Sequence, residues 1–176
     1  MGLMTSTDLT SRAQEPTATN DTNATPQTTP EATTAGSATV QDPSRVTVPL
    51  RWRDLDAQGH VYNGAYLTLF DEARSVYIRH VTGTGPEVGS VVARIEIDYV
   101  SEIAAGVPAV TIESGILAVG NKSFRTLETM YTPDGTVAAR VQAVMLLWDK
   151  EARVALPLTD AQRAGLEAAR VEQPNA

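Results

Sequence analysis

The sequence predicts an α+β domain in which an antiparallel sheet is wrapped around, or packed on, one long helix. Three observations predict it. An apolar stripe at helical spacing occurs once at length, from Tyr66 to Val81. Segments of alternating apolar and polar residues follow it, from Val91 to Trp148. No second pattern of that helical length separates those segments, so consecutive strands connect directly and run antiparallel.

The chain has 176 residues, enough for one domain of ordinary size with residues to spare. The surplus lies at the front. Residues 1–44 are rich in Thr, Ala, Pro, Asn, Asp and Gln, with only Leu3, Met4, Leu9 and Val40 as larger aliphatic residues after Met1. Such a stretch buries too little apolar surface to offset the entropy of ordering it, so it is expected to be a disordered tail. It also holds most of the net charge of −7, with Arg12 alone against Asp8, Glu15, Asp21, Glu31 and Asp42.

The first strand is expected at Val46, Val48 and Leu50, which alternate with Thr47, Pro49 and Arg51. Pro49 has no N–H to give a ladder, which favours an edge strand or an unpaired position for the proline. After a loop, Tyr66, Leu67, Phe70, Ala73, Tyr77, Ile78 and Val81 form one buried helical face, with the helix starting at Asn63 or Gly64. Gly83, Gly85, Pro86 and Gly89 mark a loop. Strands are expected at 91–100, 110–119, 124–131 and 136–148, with turns at Gly120-Asn121-Lys122-Ser123 and Pro133-Asp134-Gly135. Asp149 to Ala152 reads as a polar connector. A short helix follows near Leu158–Arg163, capped by Thr159. The domain is placed at 45–165, with 166–176 as a C-terminal extension.

Composition narrows function. The folded part is mildly acidic, which argues against a nucleic-acid partner, since phosphates need a concentrated basic surface. No stretch approaches the length needed to cross a membrane and no secretion signal opens the chain, so a cytoplasmic location is expected. The absence of cysteine removes disulfides and thiolate chemistry. Two histidines, His60 and His80, without a Glu partner at metal-ligand spacing argue against a zinc site.

The chemistry-bearing stretch is Trp52–Tyr66, where Asp54, Asp56, Gly59, His60, Asn63 and Gly64 precede the helix. A helix start presents unpaired N–H donors and partial positive charge, so a carboxylate beside it suits attack on a carbonyl and retention of the resulting oxyanion. Taken alone, Asp56 reads first as a turn residue that bonds nearby N–H groups, the commonest job of an Asp before a helix.

Residues 51–74 read Arg-Trp-x-Asp-x-Asp-x-x-Gly-His-Val-x-Asn-x-x-Tyr-x-x-x-Phe-Asp-x-Ala-Arg. This closely resembles the signature of hotdog-fold acyl-CoA thioesterases of the 4-hydroxybenzoyl-CoA thioesterase type, and the resemblance covers roughly residues 45–165. It implies a curved antiparallel sheet wrapped around the central helix, with a short C-terminal helix. It also implies a homodimer or homotetramer with sheets joined edge to edge and active sites between protomers. The implied activity is hydrolysis of an acyl-CoA thioester to free acid and CoA, with CoA as part of the substrate and no cofactor or metal.

On that resemblance the catalytic aspartate falls on Asp56, as general base or nucleophile, and the polarising donor on the N–H of Asn63, with Gly64 beside it. Two readings of His60 stand: it orients substrate or Asp56, or it is a packing residue at a loop corner. Asp54 reads as structural, His80 as serving the helix C-terminus, and Asp71 as a secondary candidate carboxylate. Tyr62, Tyr66 and Phe70 are assigned to core or acyl-pocket wall. Lys122, Ser123 and Arg125 are assigned to CoA, although relatives carry more basic residues in that turn. The rival to an enzyme is a noncatalytic acyl-CoA-binding hotdog module that retains the fold.

Overall fold

The structure, a computed structural model, describes residues 39–173. In chain order the elements are β1 (Thr39–Asp42), β2 (Arg45–Pro49), a single 3-10 turn (Trp52–Asp54), α1 (Asn63–Thr82), β3 (Val88–Tyr99), β4 (Ala109–Val119), β5 (Ser123–Tyr131), β6 (Val137–Asp149), β7 (Val154–Leu156) and α2 (Asp160–Ala168). All pairings between strands are antiparallel, in the order β1-β2-β4-β5-β6-β3, with β7 paired to β6. One long helix against one antiparallel sheet is the hotdog arrangement.

The helix turns one face to the sheet. Tyr66, Leu69, Phe70, Ala73, Tyr77 and Ile78 are buried and meet the inward residues of the strands, among them Val48, Ile112, Ile116, Phe124, Met130, Val141, Met145 and Leu147. Each large side chain so buried contributes roughly 1.5–3 kcal/mol relative to exposure. Gly83 ends α1 in the left-handed region at φ 60°, which glycine adopts without a Cβ penalty.

Several elements differ from the sequence reading. β2 lies between β1 and β4 and is not an edge; Pro49, its last residue, is in register with Ala109, and the bond to β4 there is made by Leu50 N–H to Pro108 O. β1 falls within the stretch expected to be tail. Its ladder to β2 needs only backbone N–H and C=O groups, so composition gave no sign of it. Residues 1–38 of that stretch lie outside the described residues. β7, three residues long, follows the connector after β6. α2 has the expected Thr159 cap, with Gln162 N–H donating to the Thr159 hydroxyl and Gln162 Oε1 accepting from Thr159 N–H.

The domain boundary expected at 165 falls inside α2. Leu166 is fully buried, and the chain beyond α2 pairs with β4 through Ile116 N–H to Ala169 O (3.1 Å) and Val171 N–H to Ile116 O (2.9 Å). Gly115 permits this, since a Cβ there would collide with the Val171 side chain.

At the opposite margin of the sheet, among the described residues, β3 pairs with β6 alone; it is 12 residues long and exposes Val92 and Tyr99. A long edge of that kind is a ready template for another strand.

Candidate active site

The loop before α1 is a small scaffold built from backbone bonds. Asp54, 6% exposed, accepts from Arg51 N–H through its carboxylate (2.8 Å) and from Tyr62 N–H through its carbonyl (3.0 Å). Leu55 bridges to Val61, and Asp56 N–H donates to His60 O at 2.8 Å. Gly59 closes the turn at φ 81°, a conformation that disfavours a side chain. The loop is pinned to the segment after β3: Ala105 N–H donates to Gly59 O (2.7 Å) and Val61 N–H to Ile103 O (2.9 Å).

Asp56 is half-buried at the centre of this scaffold. Its Oδ1 accepts from Gln58 N–H (2.8 Å) and His60 N–H (3.2 Å). Among the described residues, no group donates to its Oδ2. The backbone N–H of His60, then that of Gln58, hold the carboxyl below its ordinary value of 3.8, so it is ionised at neutral pH. The turn role and the chemical role are therefore compatible: one oxygen is anchored and the other is unengaged.

α1 begins at Asn63 with no side-chain cap. Ala65 N–H donates to Tyr62 O at 2.9 Å, while among the described residues the Asn63 and Gly64 N–H groups have no acceptor. These are the orphan donors of a helix start, carrying the positive end of the peptide dipoles.

Asp56, His60, Val61, Asn63, Tyr66, Tyr99, Val100, Ser101 and Glu102 line one open cleft of about 330 Å³. The cleft thus joins Asp56 to the uncapped helix start. His60 Nε2 lies 3.2 Å from Glu102 Oε2 at its rim. Tyr66 and Tyr99 meet edge to face with ring centroids 5.2 Å apart. The Tyr99 hydroxyl donates to Asn63 O at 3.1 Å.

The other assigned residues are placed differently. The Tyr62 ring lies over Gly64, where a Cβ would strike it, and is 43% exposed beside the cleft. Phe70 is fully buried in the core and is not part of the cleft wall, because its helical position faces the sheet. Lys122 is exposed in the β4–β5 turn, and Arg125 lines a separate cleft with Leu117 and Arg170. Within one chain they are far from Asp56. Tyr99 pairs with Ala139, whereas Ser123 pairs with Leu146, seven residues further along β6, or about 23 Å.

Asp71 is exposed and lies 3.4 Å from Arg74, and Glu72 is paired with Arg51 at 2.8 Å. His80 is exposed in the last turn of α1. Among the described residues, no group of three or more His, Asp or Glu is placed to hold a metal ion, and no helix is long and apolar enough to cross a membrane.

Tyr99 and Glu102 are cleft residues that the sequence reading passed over. Tyr99 carries the alternation of β3 to its last residue, on the same side as Ile95 and Ile97, and this was the available signal. Glu102 carries none; it reaches the cleft only because the segment after β3 pairs with the motif loop.

A curved antiparallel sheet wound on one long helix, with a short helix after it, defines a hotdog domain. The chain belongs to the thioesterase-like superfamily, whose model matches residues 50–166. Among solved structures it is similar to a thioesterase from Thermus thermophilus complexed with coenzyme A and Zn, at 31% identity over 72% of this chain and 93% of that one, with TM-score 0.60. It is similar in fold to a predicted thioesterase from Bacillus stearothermophilus, at 24% identity over 73% and 97% with TM-score 0.65. A hypothetical protein from Staphylococcus aureus, solved in complex with CoA, matches at 16% identity over 76% and 87%, with TM-score 0.65. No curated protein matches the chain.

Proposed function

We propose that the protein is an acyl-CoA thioesterase that hydrolyses a thioester to a free carboxylic acid and CoA. The observation that carries this reading is that Asp56 and Asn63, whose N–H is an orphan donor of the helix start, line the same cleft, with Gly64 next along the chain. In the general-base route, Asp56 takes a proton from water as the water oxygen attacks the thioester carbon. In the nucleophilic route, Asp56 itself attacks, giving a mixed anhydride that water then hydrolyses. In both, the carbonyl oxygen gains charge and is received by the helix-start donors. The C–S bond then breaks and CoA leaves as a thiolate, which needs little help from an acid. The lowered pKa of Asp56 keeps it in the ionised form that either route uses.

His60 serves this site through its backbone N–H, which holds Asp56. Two relatives that were solved with CoA support CoA as the carrier of the acyl group.

The site is completed by a second copy of the chain. Two β3 strands joined antiparallel about a twofold axis would extend the sheet and cover the free edge. Each Tyr99 end would then lie beside the start of the other β3. That arrangement carries Lys122, Ser123 and Arg125 of the partner subunit toward the cleft, which accounts for their separation from Asp56 within one chain. Exposed Trp52, Tyr62, Val92, Tyr99 and Val100 supply apolar surface for such an interface.

Thiol release from short-chain, long-chain and aromatic acyl-CoAs tests the reading. Turnover on at least one class is expected. Calorimetric binding of these compounds without thiol release would favour the noncatalytic module instead.

A further inference from the structure

The helix start offers two donors, and each belongs to a planar peptide unit whose carbonyl points the opposite way. The Asn63 N–H shares its peptide with Tyr62 O, which accepts from Ala65 N–H at 2.9 Å. The Gly64 N–H shares its peptide with Asn63 O, which accepts from the Tyr99 hydroxyl at 3.1 Å. Both donor peptides are therefore held from behind within the helix, and the second is held additionally by a side chain on the edge strand β3.

We infer that Tyr99 is a positioning residue for the Gly64 N–H: by bonding the carbonyl of the same peptide it fixes the direction of that donor and strengthens it. Two physical effects combine. A rigid peptide plane with its oxygen tethered has its hydrogen tethered as well. A carbonyl that accepts a hydrogen bond polarises its peptide, which makes the N–H a better donor. The Tyr99 ring is steadied for this by its edge-to-face contact with Tyr66, whose hydroxyl reaches Ser101 O at 3.5 Å. The inference rests on the thioesterase reading and adds a residue that acts without touching the substrate.

Tyr99 is also the last residue of β3, which among the described residues has β6 as its one neighbour. The donor geometry at the helix start is thus tied to that strand, and a second copy paired along it would steady the contact.

The test is Tyr99→Phe, which keeps the ring and the contact with Tyr66 and removes only the hydroxyl. A fall in kcat of about threefold to tenfold with KM unchanged is expected, the scale of one neutral hydrogen bond. With the protein labelled by 15N-glycine, the Gly64 amide proton is expected to move upfield in the variant. Tyr131→Phe, a hydroxyl deletion away from the cleft, is expected to leave both readouts at wild-type values. Wild-type turnover with an unchanged kcat in Tyr99→Phe, or an unmoved Gly64 amide, overturns the inference alone. Absence of wild-type turnover on every acyl-CoA overturns the thioesterase reading and the catalytic role of Tyr99 with it.

Discussion

Arg74 and Glu128 face each other inside the core, joined by two parallel hydrogen bonds of 2.7 Å, with the Arg74 and Glu128 side chains 2% and 0% exposed. Thr126 donates a third hydrogen bond to Glu128 Oε1 at 2.7 Å. The pair ties the middle of α1 to β5. Glu128 sits at an inward position of β5, in register with Phe124, Thr126 and Met130, where a lone carboxylate would be strongly unfavourable.

Removing one partner strands the other charge. Arg74→Met and Glu128→Leu are each expected to cost about 3–5 kcal/mol in urea unfolding. The double variant, with neither charge left, is expected to recover most of that loss. Equal destabilisation in the double variant would show that the pair itself, and not the stranded charge, carries the stability.

Tyr77 gives a stability signal at high pH. Its burial first, then the nearby Glu128 and Asp42 carboxylates, push the phenol from 10.0 up to about 12. The fold favours the neutral form, so the stability that this group contributes is intact below pH 10. It is lost as pH rises toward 12, because the unfolded chain gives up its proton first. The gap corresponds to about 2–3 kcal/mol. Urea unfolding between pH 9 and 12 is expected to be less pH-dependent in Tyr77→Phe than in wild type; equally steep curves would contradict the assignment.

Asp56 shifts the opposite way. The N–H groups of His60 and Gln58 hold its carboxyl below 3.8, so it stays ionised as pH falls through the usual carboxylate range. Activity that requires the ionised form is expected to be lost only below that value. A profile of kcat/KM against pH checks this in the free enzyme. A midpoint above 3.8 would contradict the proposed role of those two amides.

What the sequence made legible follows from local periodicity. The stripe from Tyr66 to Ile78 located α1 and its buried face, and the motif from Trp52 to Tyr66 located the loop that carries Asp56. The alternation from Val137 to Leu147 located β6. Contacts set by pairing between distant segments were not legible. Glu102 enters the cleft through the bridge between His60 and Ala104, and Ser123 is displaced from Asp56 by the register of β5 on β6. Phe70 shows the same limit from another side, since helical spacing marks a residue as buried but does not distinguish the wall of a cleft from the core beneath it. β1 left no apolar signature because its hold on β2 is through the backbone.

The most direct measurement is kcat for thiol release by Asp56→Asn against wild type, on the best acyl-CoA substrate. The side chain keeps its size and its oxygen can still accept from Gln58 and His60, so the loop is expected to hold its shape. A fall of at least about a hundredfold, with melting temperature unchanged, is expected if the carboxylate acts as base or nucleophile. Activity within a few-fold of wild type would remove Asp56 from the chemistry and leave it a turn residue.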